Sequence, residues 1–241
     1  MTRLGIVAAF AAESRHLRPL TPGSADGTLL VVSGMGGAAA ASGARQLVDA
    51  GARALLSWGV AGGLDPALPA GALFLPDEVI SADGVVYQTA REWRETLATA
   101  VASCHPVTGG RLLTSRRPIA SAADKSIALR ESGAAAVDME SAAVAEVARA
   151  QGLPFLAVRA IVDTANDPLP MAAIAAASSG SVRLSRLLGA LARAPADLPA
   201  LIRLMWRYRA ASRSLAAVAR AGALAPRELR AAAPAAPAAP P

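Results

Sequence analysis

The chain has 241 residues, which suits one large α/β domain or one domain with an appendage, and 54% of them are hydrophobic while only 3% are aromatic, so Ala, Leu and Val must build the core. A single cysteine, Cys104, excludes an internal disulfide, and neither it nor the two histidines, His16 and His105, has metal-ligand spacing. Of the net charge of +6, all resides in 198–241, which hold seven of the 24 basic residues and one of the 18 acidic ones; the first 197 residues balance at 17 of each, which argues against a nucleic-acid binder.

Leu4–Ala9 predicts a first buried strand. The apolar stretch is short and runs straight into Glu13-Ser14-Arg15-His16, so a signal peptide is not expected. Leu29–Ser33 predicts a second strand, followed by the turn Gly34-Met35-Gly36-Gly37 and a helix over Ala38–Ala50. Ala54–Trp58 leads as a strand into Gly59-Val60-Ala61-Gly62-Gly63. Short strands follow at Leu73–Leu75 and Val79–Ser81, then a helix at Trp93–Ala102, a strand at Gly110–Thr114 and a helix at Ala122–Glu131. Ala134–Val137 is a strand, Met139–Gln151 a helix, Phe155–Val162 a strand, and Met171–Ala194 is mostly helical.

Strands alternating with helices predict a three-layer α/β/α fold over a mostly parallel mixed sheet. Strands apolar throughout, such as Phe155–Val162, predict burial on both faces. Catalytic residues are expected within 1–197. Residues 198–230 are expected to form an arginine-rich helical appendage, with Leu198, Leu201, Met205 and Tyr208 on one face, and 231–241 a disordered Ala/Pro tail. No stretch reaches about 18 uninterrupted apolar residues, so a spanning helix is not expected. The appendage can lie in an anionic membrane surface or dock on the body or a second subunit. The expected location is cytoplasmic, peripheral at the inner face of the membrane.

Gly34-Met35-Gly36-Gly37-Ala38-Ala39 matches GxGxxA, but the next strand ends Leu56-Ser57-Trp58-Gly59 without the acid a dinucleotide ribose requires. The chain is therefore expected to need no cofactor. The turn reads either as a purely structural one or as a backbone-lined seat for a ribose or an anion at a helix N-terminus. Three acids then stand just beyond apolar runs: Glu13, Glu140 in Ala136-Val137-Asp138-Met139-Glu140-Ser141, and Asp163 in Val158-Arg159-Ala160-Ile161-Val162-Asp163-Thr164. The latter two are expected at the ends of adjacent strands. Carboxylates so placed can grip a sugar, stabilise positive charge on it and protonate a leaving base. Each could equally be a helix-start or cap acid. Arg159 is buried by pattern and needs a partner.

These motifs resemble the purine nucleoside phosphorylase and methylthioadenosine/adenosylhomocysteine nucleosidase superfamily. Within it, Ser57–Leu68, Asp138–Pro168 and Leu198-Pro199-Ala200-Leu201-Ile202-Arg203-Leu204 are similar to the hopanoid-associated phosphorylase branch. The resemblance implies that Met139 and Glu140 hold the ribose, that Asp163 protonates purine N7, and that Glu13 orients the nucleophile. It gives Asp138 a supporting part. It implies a nucleophile turn of Gly34, Gly36, Gly37 and Gly59, and a base pocket of Ala61, Gly62, Pro118 and Ile119. Nucleosidases of this type stack adenine on an aromatic residue where this chain reads Ser115-Arg116-Arg117-Pro118-Ile119, and the family's Ser before the acid is Val162 here.

The implied substrate is a lipid-linked purine nucleoside, adenosylhopane, losing adenine to water or phosphate, and a homodimer is implied by analogy. Hexameric phosphorylases place an Arg and a Ser where this chain reads Ser57-Trp58-Gly59-Val60, and Glu13 would repel phosphate, so the residues lean towards water. Two other readings stand beside this one: a soluble methylthioadenosine/adenosylhomocysteine nucleosidase, and a non-catalytic nucleoside-binding membrane-associated protein.

Overall fold

The structure is a computed structural model and describes residues 3–17, 27–102, 105–170, 173, 198–227 and 229. Its elements run β1 (Arg3–Ala8), α1 (Ala11–Ser14), β2 (Leu29–Val32), α2 (Gly37–Asp49), β3 (Ala52–Gly63), β4 (Leu73–Phe74), β5 (Glu78–Ser81), β6 (Val86–Gln88), α3 (Arg91–Val101), β7 (Val107–Thr108), β8 (Arg111–Thr114), α4 (Ala122–Ser132), β9 (Ala136–Asp138), α5 (Ser141–Ala150), β10 (Phe155–Asp163) and α6 (Leu198–Arg220).

Side-chain alternation along the apolar strands creates two cores. Leu4, Ile6, Ala8, Leu56, Trp58, Leu156, Val158 and Ala160 face one side, where Trp93 and Leu97 of α3 and Leu215 and Val218 of α6 cover them. Val7, Leu55, Phe155, Ala157 and Ile161 face the other, against Ala40, Ala44 and Leu47 of α2 and Val144, Ala145 and Ala148 of α5. Small alanines let these helices lie close to the sheet. The result is an α/β fold with helices on both sides of a mixed sheet.

The strand order is β6-β5-β8-β9-β3-β10-β4-β7, with β1 pairing both β2 and β3. Six of the pairings are parallel, and β3–β9, β4–β10 and β5–β6 are antiparallel. The acid-bearing strands β9 and β10, expected side by side, have β3 between them. At 12 residues β3 is long enough to run beside β10 from Leu55 to Gly62 and to meet β9 only with Gly62 and Gly63. It also continues well past Trp58, where the apolar run had suggested an end. Strands β6 and β7 were not foreseen, because three and two residues are too few to show a period.

Helix α5 starts at Ser141, and Glu140 is its N-cap residue rather than part of its first turn. The helix expected over Met171–Ala194 lies outside the described residues, Ala173 excepted. Helix α6 docks on the body, one of the placements expected for it, with its second half. Its first half exposes Leu198, Ile202, Met205 and Trp206, but Ala211, Leu215, Val218 and Ala219 are buried in the core. Ser214 Oγ donates to Gly71 O at 2.6 Å, and beyond the helix Leu224 O accepts the Trp93 indole N–H at 2.8 Å. Among the described residues, no helix is long and apolar enough to cross a membrane.

Candidate active site

The three acids converge on one cavity of about 150 Å³ at the ends of β1, β3, β9 and β10. Glu13, Met139, Glu140, Asp163, Ala61, Gly62, Pro118 and Ile119 all line it. Gly59 lines a smaller adjoining void of about 10 Å³ with Glu13, Arg159 and Glu140, a space of roughly one water. Gly34 and Gly37 line neither space. Gly36 takes part indirectly, by holding Glu140.

Glu13 is held by backbone. Chain reversal after β1 places it in the short helix α1, where Oε2 accepts the Phe10 N–H at 3.0 Å and Oε1 the Val60 N–H at 3.1 Å. The Trp58 indole donates to its carbonyl at 3.0 Å. Burial pushes its carboxyl above the ordinary range, partly offset by the Val60 hydrogen bond and the Arg159 charge. Gly59 is required by this packing, because a Cβ there would stand 2.8 Å from Glu13 Oε1.

Glu140 Oε1 accepts the Gly36 N–H at 2.7 Å, and Oε2 accepts the Met139 N–H at 3.3 Å. Gly36 sits at φ 98°, a conformation natural to glycine, which turns its N–H onto the carboxylate. Burial, and then the charge of Asp138, push the Glu140 carboxyl up to about 7. Asp138 also lines the cavity, with its carboxylate tied up in a polar network beneath it. It pairs with Arg159, whose Nε lies 2.9 Å from Oδ2, and accepts from Thr114 Oγ1 at 2.7 Å. Arg159 Nη2 also reaches Ser57 Oγ at 2.6 Å and Ser141 Oγ at 2.9 Å. This closed polar network anchors β9, β3, β10 and α5 directly beneath the acids.

Asp163 closes β10 and is 3% exposed. Burial pushes its carboxyl up, and the ammonium of Lys125 opposes the shift. Lys125, on α4, is fully buried and ion-paired with Asp163 Oδ2. Sequence reasoning missed this partner. The signal was present, since Lys125 is the sole lysine of the chain, but a contact 38 residues away is not visible in a pattern. Also unforeseen are Phe10, Met35, Val162 and Leu169, which supply apolar wall to the cavity. His16 lies away from the acids, with Nε2 3.0 Å from Ser212 Oγ of α6.

A pocket at the strand ends that collects three buried acids, two of them held by backbone N–H groups and one by a buried lysine, beside an apolar wall suits an enzyme that breaks and makes N-glycosidic bonds. The chain belongs to the Phosphorylase superfamily, whose family profile matches residues 13–193, and it is an enzyme of the nucleoside phosphorylase/nucleosidase type. Its fold is similar to that of 5′-methylthioadenosine/S-adenosylhomocysteine nucleosidase from Neisseria meningitidis in complex with methylthio-immucillin-A. That match has a TM-score of 0.67 and 17% identity over 90% of this chain and 98% of the other. A variant of the Helicobacter pylori nucleosidase with 5′-methylthioadenosine in its active site matches at a TM-score of 0.64 and 19% identity, over 80% and 99%. Futalosine hydrolase of Helicobacter pylori matches at 0.64 and 19%, over 78% and 97%. No curated protein sequence matches the chain.

Proposed function

We propose that the protein hydrolyses the N-glycosidic bond of an adenine nucleoside carrying a lipid on its 5′ side, adenosylhopane, releasing adenine. The observation that carries the glycosidic part is the meeting of Glu13, Glu140 and Asp163 around one cavity. Glu140 accepts hydrogen bonds from the ribose hydroxyls and stabilises the cationic sugar as the bond breaks. Met139 packs on the ribose, and Pro118 and Ile119 flank the base. Asp163, kept protonatable by burial, donates to N7 so that adenine leaves neutral. Glu13 orients the attacking water within the small void beside Arg159.

Water is favoured over phosphate by charge and by space. Arg159 is already paired with Asp138 and so offers no free cation to phosphate, and the void it lines has room for about one water. The lipid part rests on the similarity to the hopanoid-associated branch and on α6. Leu198, Ile202, Met205 and Trp206 recur at helical spacing and stay exposed, with Arg209 over the Trp206 ring at 5.0 Å. Such a stripe suits an anionic membrane surface reached from the cytoplasmic side.

A second reading, a methylthioadenosine/adenosylhomocysteine nucleosidase, is favoured by one observation. The Neisseria enzyme is covered over 98% of its length by 90% of this chain, so little of the chain is extra to a small-nucleoside enzyme. Homodimerisation is proposed for either by analogy.

The test is adenine release from detergent-dispersed adenosylhopane and from methylthioadenosine, with and without phosphate, with the sugar product weighed by mass spectrometry. Ribosylhopane formed without phosphate supports the proposal. A sugar 1-phosphate would replace hydrolysis by phosphorolysis, and turnover of methylthioadenosine alone would favour the second reading.

A further inference from the structure

Lys125 is placed against the interests of the fold. It lies in the first turn of α4, whose N-terminus is capped by Ser121 Oγ accepting from Asp124 N at 3.0 Å. That end of a helix favours anions, and a buried ammonium is unfavourable unless fully paired. Its three N–H bonds all go to the segment closing β10: Asp163 Oδ2, Thr164 O at 2.7 Å and Asp167 O at 2.8 Å. Among the described residues no other donor reaches the Asp163 carboxylate, and its second oxygen is left for the cavity that Asp163 lines. Everywhere else the chain uses arginine for a basic residue. A guanidinium never gives up its proton in a protein, whereas an ammonium can.

We propose that Lys125 is the positioning residue of the general acid, forming with Asp163 a single couple that holds the proton delivered to the leaving base. The proposal rests on the reading of Asp163 as that acid. The couple holds one proton, either on Nζ as ammonium beside carboxylate, or on the cavity-facing oxygen of the Asp163 carboxyl beside an amine that still donates to Oδ2, and water in the cavity exchanges the two forms. When the C1′–N9 bond breaks, its electron pair goes to the purine, and N7 takes the proton from the Asp163 carboxyl, leaving amine and carboxylate. The water adding to C1′ gives a proton to Glu13, and solvent carries a proton from Glu13 back to the couple after the products leave. The other charged groups around Asp163 are Asp167 on the following loop, Arg207 of α6, which pairs with Asp167, and Glu13, Asp138 and Glu140 across the cavity.

The experiment compares wild type, Lys125→Arg, Lys125→Met and Asp163→Asn on two leaving groups. One is adenine, from the nucleoside that the wild type turns over. The other is p-nitrophenol, from p-nitrophenyl riboside, which departs without being protonated. Lys125→Arg keeps an ion pair without a transferable proton, so its kcat for adenine release should fall about 100-fold or more. Its turnover of the p-nitrophenyl riboside should stay near wild type. In Lys125→Met the basic limb of the pH–rate profile for adenine release should move to lower pH, because a lone carboxyl sheds its proton before the couple does.

Full adenine release by Lys125→Arg, or equal losses on both leaving groups, would make Lys125 a structural ion-pair partner and overturn the proposal. Should the variants not accumulate as folded protein, the wild type decides by its two profiles. A basic limb seen for adenine and not for p-nitrophenol, and lying in the range of an ammonium rather than of a lone carboxyl, supports the couple, and a limb in the carboxyl range or one shared by both leaving groups refutes it. Undiminished adenine release by Asp163→Asn would instead remove Asp163 as the acid, a separate failure.

Discussion

Gly36 and Glu140 are 104 residues apart in the chain, yet the glycine N–H stands 2.7 Å from the glutamate Oε1. The turn that resembles a dinucleotide fingerprint thus serves a carboxylate of the protein itself. That contact orients the acid without any ligand, and it favours the ionised form against the strong opposing effect of burial.

The pH dependence follows from this balance. With its carboxyl at about 7 when folded and 4.5 as the ordinary value, Glu140 is protonated more readily in the folded state. Its contribution to stability is therefore full below about pH 4.5 and is lost as pH rises through about 7. Glu140→Gln should raise the urea midpoint at pH 8 but not at pH 4, by up to about 3 kcal/mol of stability. The same variant should lose on the order of 100-fold in kcat/KM for adenine release, since its amide cannot neutralise a cationic sugar.

Gly59→Ala tests the backbone cradle of Glu13. The added Cβ would stand 2.8 Å from Oε1 and 3.0 Å from the carboxyl carbon, so the acid must move. Kinetics should show a fall in kcat of about tenfold or more, because misplacing a positioned group by an ångström is costly. Thermal melts should register a loss of about 1–3 kcal/mol from overpacking.

Arg159→Met should be the most damaging change beneath the site. It leaves Asp138 buried without its cation and strips hydrogen bonds from Ser57 and Ser141. Urea unfolding should report a loss of about 3–5 kcal/mol. Arg159→Lys should recover little, because one ammonium cannot span Asp138, Ser57 and Ser141 as a planar fork does.

Helix α6 should respond differently along its length. Trp206→Glu, at a position 61% exposed, should shift stability by no more than about 0.5 kcal/mol while weakening sedimentation with anionic vesicles. Leu215→Ala, at a position 1% exposed, should cost about 2–5 kcal/mol in chemical unfolding.

Much of this was legible from residues because β1, β9 and β10 are buried, which leaves apolar runs ending at or just before the acids. Glu13, Glu140 and Asp163 could be singled out for the same reason. Strand order was not legible. Nothing local in Ala136–Asp138 says that it pairs with the last two residues of β3, because that pairing depends on the length of β3 and not on any pattern in β9. The partner of Asp163 was hidden in the same way, since a lone lysine at a helix start looks like any solvated charge until the fold brings Thr164 and Asp167 around it. The arginines of α6 left open whether it lies on a surface or docks on the body. The apolar residues that decide its docking, Ala211, Leu215 and Val218, lie further along the same helix, among fewer charges.

The two-sided character of α6 also bears on how the gene can be shortened or fused. Composition invites a cut after residue 197, as though everything beyond were a detachable tether. Such a cut would uncover Leu73, Leu75, Trp93 and Val158, leave the Trp93 indole and the Gly71 carbonyl without their protein partners, and take Arg207 from Asp167. The trimmed product would be an opened shell inclined to aggregate, so a reporter or affinity handle belongs beyond Leu229, which packs against that core.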